Sequence, residues 1–393
     1  MKIGYCFFPS LQDDYSKYTN KLVEDIFADL GYNSGNLLFL NAGLTFLATG
    51  KNTNLPNLES AEIMQEVVNI RTVHDVIINK PLNAMVFMFA NLIGPHTGDE
   101  YIMELTNMLM LSECKCIAMG LGSQIDYDAF KQNERILSDK LVNLLRLLSS
   151  KCNNIFIRDE NTKKILAHLD IKNSIVSGCP SILLNTNLKL GDIIDEKIRY
   201  LKNNPKDIRA TVNYQSSSEY DLFTKKIISL AKQSKSSIVI QDNPTTIKKL
   251  LIDPKIPMKL IDSNFTLTEF QQNFRFFYKL DAWMLYLKNF NLCVGARIHG
   301  AIINIVNETP AINICHDVRT KGLCESLKIP HINRDVFMKM SDEKLNMNHI
   351  LSLINFNKDE FNQMRSQMAL LYKQELELMG IMVSENLKKL ANS

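Results

Sequence analysis

The sequence predicts an α/β protein: two doubly wound, Rossmann-like parallel-sheet domains facing across a cleft, followed by a C-terminal helical tail. Three observations predict it. Short apolar runs alternate with amphipathic stretches along most of the 393 residues, the pattern of parallel strands joined by crossover helices. The alternation breaks down between about 182 and 206 and then begins again. The length favours two domains over one, each large enough to bury a core without disulfides or metal.

In the first half the expected strands are 2–8, 36–41, 84–90, 114–119, 154–158 and 173–177, with helices near 17–30, 59–78, 99–112, 127–151 and 160–169. Ile136, Leu137, Leu141, Leu144, Leu145 and Leu148 form the clearest helical stripe. The opening run from Met1 to Phe8 is too short for a signal peptide and reads as a buried strand. Asn185, Asn187, Asn203, Asn204 and Pro205 mark a linker with one short helix. In the second half the expected strands are 207–213, 236–241, 257–262, 291–296, 310–315 and 330–332, and the helices 218–233, 244–252, 266–273, 277–289, 299–307 and 320–327. The aromatic cluster Phe274-Arg275-Phe276-Phe277-Tyr278 reads as packing rather than a sugar platform. The stretch 341–390 is amphipathic and helical, with Leu351, Leu353, Ile354, Leu370 and Leu371 as its buried positions. The chain thus divides into 1–190, 191–340 and 341–393.

Composition narrows the function. Forty-five basic residues face 42 acidic ones, a net charge of +3. That is too balanced for a nucleic-acid binder, whose footprint is a clustered basic excess. No run reaches the ~18 apolar residues of a membrane span. The eight cysteines, at 6, 114, 116, 152, 179, 293, 315 and 324, include no C-x-x-C pair. They read as reduced core thiols of a cytoplasmic protein, and no Cys/His spacing suits zinc. Only 11 residues are Arg against 34 Lys. Arginine is the better bidentate anion ligand, so each one counts.

Open α/β sheets bind ligands at the carboxyl ends of their strands, which directs attention to strand-to-helix turns. The strongest candidate is Gly295-Ala296-Arg297-Ile298-His299-Gly300, after an apolar strand. Its glycines permit a tight turn and close ligand approach, and the helix N-terminus and Arg297 suit an anion. His299 can hydrogen-bond or move a proton near neutral pH. The same residues also read as a plain turn with a surface Arg and a core His. At Ile157-Arg158-Asp159-Glu160, Asp159 is the expected helix cap, with Arg158 either paired to an acid or presented to the cleft. Gly120-Leu121-Gly122-Ser123-Gln124 lacks the dinucleotide fingerprint and suits a tight turn better than a phosphate cradle. Asn33-Ser34-Gly35-Asn36 reads as a turn before the second strand. In Ser177-Gly178-Cys179-Pro180-Ser181 the cysteine reads as structural, because no histidine lies near it in sequence. Asp317 is an expected cap, and Arg319 faces either the cleft or solvent.

Taken in chain order, these six segments resemble the polysaccharide pyruvyl transferase family, over about 33 to 330. The Arg297-x-His299-Gly300 element with Pro310 downstream is the most specific. Many members show Gly-Asp where this chain has Gly35-Asn36, and Gly-Asp-Pro where it has Gly178-Cys179-Pro180. The resemblance implies a GT-B-like fold, with an acceptor domain at 1–190, a donor domain at 191–340 and last helices that cross back to the first domain or serve a dimer contact. It implies transfer of a pyruvyl group from phosphoenolpyruvate to two hydroxyls of a sugar or glycan, lipid-linked or free, in surface-polysaccharide synthesis. Arg297 and His299 carry the family's catalytic and donor-binding roles. Gly295, Gly300, Arg158 and Arg319 join them at the donor, while Asn33, Ser34, Gly35, Asn36, Gly122, Gln124, Ser181 and Asp317 line the cleft. Phosphoenolpyruvate is then a co-substrate, and no metal or resident cofactor is expected. The protein is expected in the cytoplasm, free or at the inner membrane face, as a monomer or homo-oligomer. Two rivals stay open: a glycosyltransferase using a nucleotide sugar, and a non-catalytic sugar or anion binder on the same scaffold.

Overall fold

The computed structural model describes residues 1–6, 34–48, 65–214, 222–241 and 267–392. The expected helices at 17–30 and 244–252, the strand at 257–262 and Asn33 lie outside these described residues.

The first half runs β1 (Lys2–Cys6), α1 (Asn36–Thr45), β2 (Glu66–Ile70), α2 (Val73–Ile78), β3 (Ala84–Met88), α3 (Asp99–Leu111), β4 (Lys115–Leu121), α4 (Tyr127–Gln132), α5 (Asp139–Lys151), β5 (Cys152–Ile157), α6 (Glu160–His168) and β6 (Ser174–Val176). Its six strands are all parallel, in the order β2-β1-β3-β4-β5-β6. A 3-10 turn at Pro180–Leu184 and α7 (Leu190–Asn203) lead into the second half. That half runs β7 (Ala210–Tyr214), α8 (Leu222–Gln233), β8 (Ser237–Ile240), α9 (Leu267–Asn273), β9 (Phe274–Phe276), α10 (Leu280–Leu287), β10 (Leu292–Gly295), α11 (Ile298–Val306), β11 (Ala311–Cys315), α12 (Val318–Ser326) and β12 (His331–Asn333). The second sheet is also parallel, ordered β12-β11-β10-β7-β8-β9. Renumbered from its own first strand this is the dinucleotide-fold order, and it reverses direction between β7 and β10. Four helices follow: α13 (Arg334–Met338), α14 (Met347–Ser352), α15 (Lys358–Leu378) and α16 (Glu385–Ala391).

Central strands such as β3 and β11 are buried at every position, as parallel strands covered on both faces must be. One apolar core lies between the first sheet and α3, α5 and α6. The other runs without a break from the opposite face of that sheet, through α1 and the 3-10 turn, into the second sheet. A continuous apolar seam therefore joins the halves. The C-terminal helices lie against first-half elements: the Ser384 N–H donates to the Phe46 carbonyl (2.9 Å), Asn154 Nδ2 donates to Glu375 Oε2 (2.8 Å), and Tyr372 stacks on Phe46.

Several elements differ from the sequence expectation. Residues 36–41 belong to helix α1, not a strand. A short, wholly apolar run suits a buried strand and a buried helix equally. The helix expected over 59–78 yields strand β2 at its centre, drawn into parallel register beside β1. The long helix at 127–151 breaks where Ser138 turns extended and caps α5 by accepting from the Leu141 N–H (3.3 Å). The linker holds the 14-residue α7, whose Ile194, Ile198 and Leu201 are buried. Phe274–Phe276 is the edge strand of the second sheet. Among the described residues no helix is long and apolar enough to cross a membrane.

Candidate functional site

Three strand ends carry arginine into one place. Arg158 follows β5 and is 2% exposed. Among the described residues it pairs with no acid. Its Nε donates to the Gly120 carbonyl (2.7 Å) and its Nη2 to the Phe89 carbonyl (3.3 Å), leaving Nη1 unused by either bond. Gly122 makes the room, since a Cβ there would stand 2.9 Å from Arg158 Cδ. The guanidinium lies 5.6 Å from the Phe39 ring centre, within cation–π range.

Arg297 follows β10 as the N-cap of α11 and offers no capping hydrogen bond, because a guanidinium has no acceptor. Its neighbour Ala296 donates to the Asn213 carbonyl at the reversal point of the sheet (3.2 Å). His299 sits in the first turn of α11, 6% exposed. After β11, Asp317 caps α12, its Oδ1 accepting from the Thr320 N–H (2.6 Å). Asp317 Oδ2 pairs with Arg319 Nη2 (3.2 Å) and His316 Nε2 (3.5 Å). Arg319 Nε is buried without a hydrogen-bond partner among the described residues.

These groups act on one another. Burial first, then Arg158, Arg319 and Arg297, hold the His299 imidazole well below 6.5, so the ring is neutral at pH 7. His316 is also pushed down, by burial and by Arg319 and Arg297, against the opposing pull of Asp317. Burial pushes the Asp159 carboxyl up, against the hydrogen bonds of Thr162 and the charges of Arg158 and Arg319. Burial also raises Asp317, but Arg319, His316 and Thr320 outweigh it and the net shift is downward. Three permanent cations, drawn from both sheets, thus act together on one neutral imidazole. Such a site concentrates positive charge for a small, strongly acidic ligand.

The remaining expected residues divide. Ser34 is buried in the turn before α1, with Gly35 as the helix N-cap and Asn36 its first residue. Ser181 is buried with Oγ 3.1 Å from Cys179 Sγ. Gln124 is exposed, and its N–H donates to the Ile93 carbonyl (2.9 Å), so it lines the surface rather than the cluster. Gly295 and Gly300 answer to a different demand than ligand approach. A Cβ on either would strike Asn213, at 2.6 and 2.2 Å, so β7 fills the space the sequence left for a ligand. Sequence reasoning missed Phe39, hidden in a helix read as a strand. It also passed over Cys179, whose histidine lies 120 residues away.

A groove of about 780 Å³ opens between α4 and α6 on one side and α12 and α15 on the other, lined by Asp126, Lys164, Lys321, Gln363 and Gly322 among others. None of the three arginines or His299 lines it. Gly322 lies against Asp159, where an added Cβ would come within 3.0 Å. Among the described residues no group of three His, Cys, Asp or Glu side chains is placed to hold a metal.

A family model described as polysaccharide pyruvyl transferase matches residues 94–317, more than half of the chain. No curated protein matches. Among solved structures the chain is similar to one described as trehalose-6-phosphate from E. coli bound with UDP-2-fluoro glucose, at 9% identity and TM-score 0.44, covering 98% of this chain and 100% of that one. It is similar to the S. aureus MnaA–UDP co-structure at 12% identity and TM-score 0.44, covering 96% of each. It is also similar to the UDP-GlcNAc 2-epimerase from Neisseria meningitidis bound to UDP-GlcNAc, at 11% identity and TM-score 0.45, covering 96% of this chain and 100% of that one.

Proposed function

The chain belongs to the polysaccharide pyruvyl transferase family, and from that premise we propose that it moves a pyruvyl group from phosphoenolpyruvate onto two hydroxyls of one sugar. The observation that carries this reading is the convergence of Arg158, Arg297 and Arg319 on His299. Phosphoenolpyruvate bears a phosphate and a carboxylate on adjacent atoms, about three negative charges near neutral pH. A cluster of three guanidiniums matches both the charge and the forked oxygen geometry. Arg158 keeps Nη1 outside its two carbonyl bonds, and Arg319 Nε has no hydrogen-bond partner among the described residues; both are donors that suit such an anion.

The cluster also times proton chemistry. Burial and the three arginines keep His299 neutral. A bound trianion offsets the arginines' share and raises the imidazole's proton affinity, which favours proton uptake as the donor arrives. Protonation of the donor's methylene carbon makes C2 electrophilic. One sugar hydroxyl bonds to C2, the C2–O bond to phosphate breaks, and a second hydroxyl closes the ketal. Of the two hydroxyl protons released, one replaces the proton placed on the methyl carbon and the other leaves with phosphate. His299 carries the first transfer, and the arginines stabilise the departing phosphate in a dry site.

Calorimetric titration with phosphoenolpyruvate in buffers of different ionisation enthalpy tests the reading. The expected result is binding with net proton uptake near pH 7, and thermal stabilisation by phosphoenolpyruvate but not by UDP or UDP-sugars. Stabilisation by the nucleotides alone overturns it in favour of glycosyl transfer. Binding of phosphoenolpyruvate with no phosphate release on any glycan acceptor supports the non-catalytic rival.

A further inference from the structure

Cys179 follows β6 at the head of the 3-10 turn and is wholly buried. Gly178 turns the chain there with φ +79°, a backbone open to glycine and strained for other residues. A Cβ at Gly178 would also meet Leu327 at 2.5 Å. The turn delivers the Cys179 thiol to the far half of the molecule. Sγ lies 3.1 Å from Ser181 Oγ and 3.8 Å from His299 Nε2. Among the described residues this is the hydrogen bond of the His299 ring, and Phe39 covers the ring at 5.9 Å between centres.

The surroundings of His299 are otherwise of one sign. Arg158 reaches it from the end of β5, Arg319 from α12 and Arg297 from its own turn. Cys293 of β10 turns its thiol to the Gly300 carbonyl (3.8 Å). The adjoining α1 and 3-10 turn carry no charged residue. A carboxylate at the Cys179 position would favour imidazolium. A thiol satisfies Nε2 without adding a negative charge beside the ring; Asp317 and Asp159 act on the arginines rather than on His299.

We infer that Cys179 is the positioning residue of His299: braced by Ser181, its thiol fixes the imidazole in one neutral tautomer between the two halves. As a statement about catalysis this rests on the donor-site reading above; the thiol–imidazole contact does not. The neutral ring is what allows proton uptake to accompany donor binding.

The test reads His299 directly, without substrate. Nitrogen-15 spectra of histidine-labelled protein are recorded across pH for the full chain and for Cys179→Ala, Cys179→Ser and Cys179→Asp, with His299 assigned by its loss in His299→Gln. Thermal unfolding confirms that each variant is folded. The wild-type ring should show one tautomer and titrate below the free-imidazole value, and Cys179→Ser should keep that pattern. Cys179→Ala should give mixed tautomers, and Cys179→Asp should raise the midpoint by about one unit or more. A folded Cys179→Ala and Cys179→Asp with wild-type His299 spectra and midpoint overturn the inference. Spectra as expected in a protein that fails to bind phosphoenolpyruvate overturn the donor reading alone.

Discussion

The turn after β5 and the turn after β10 look alike in sequence: an apolar strand, an arginine, then a helix. They are wired in opposite ways. After β5, Asp159 accepts from the Thr162 N–H (2.7 Å) and closes the helix end, while Arg158 spends two nitrogens on backbone carbonyls. After β10, Arg297 occupies the cap position and cannot accept, so no side chain closes α11. The turn after β11 follows the first pattern, with Asp317 as cap. Only the middle turn of these three leaves a helix N-terminus without a capping side chain, and it stands where the second sheet reverses. The first turn closes its helix end with a side chain, and the second leaves its helix end open to an anion.

The largest expected effect separates the two turns directly. Arg297→Ala should weaken donor turnover by about 10²–10³-fold, the scale of one lost charge-stabilising donor in a dry site, with little change in thermal stability. Phosphate release kinetics and unfolding on the same samples check both halves of the claim; equal loss of stability and activity would erase the contrast. Arg158→Ala should lower both, because the Gly120 and Phe89 carbonyls lose their donor, a penalty of about 1–3 kcal/mol in chemical denaturation.

Gly300→Ala probes packing at the second turn. Overpacking against Asn213 should cost about 1–3 kcal/mol, whereas Gly98→Ala, with nothing within 4 Å of its added carbon, should avoid that clash. Denaturant midpoints for the pair decide it, and equal losses would mean that Asn213 yields freely. Asp159→Ala should remove a helix cap worth about 1 kcal/mol yet tighten phosphoenolpyruvate binding, since a carboxyl beside Arg158 and Arg319 is gone; weaker binding would mean that Asp159 serves the donor itself.

The smallest effect is a slope with pH. His299 and His316 are depressed in the folded protein, so the unfolded chain takes up protons first as pH falls through about 6.5. Their contribution to stability is present above that value and lost as pH drops toward their folded midpoints. Unfolding free energy measured from pH 7.5 to 5 should fall accordingly, and His299→Gln should flatten the slope; an unchanged slope would place His299 in solvent.

Much of the fold was legible because parallel strands buried on both faces must be continuously apolar, and β3, β4, β10 and β11 announce themselves that way. The run at 36–41 was misread because burial removes the periodicity that separates helix from strand. Short edge strands such as β2 and β9 owe their pairing to neighbours far along the chain, which local pattern does not record. Arg297 and His299 could be singled out because the glycines and the helix start lie within six residues of each other.

The sequence by itself determined the alternating architecture, the helix caps at Asp159 and Asp317, and the identity of the scarce arginines, because each depends on residues within one or two turns of chain. Only the tertiary structure decided that Arg158, Arg297 and Arg319 share one histidine, that Asn213 fills the space beside Gly295 and Gly300, and that Cys179 meets His299. Those facts join segments separated by up to 141 residues, from Arg158 to His299, and such distances are closed by packing two sheets together rather than by local preference.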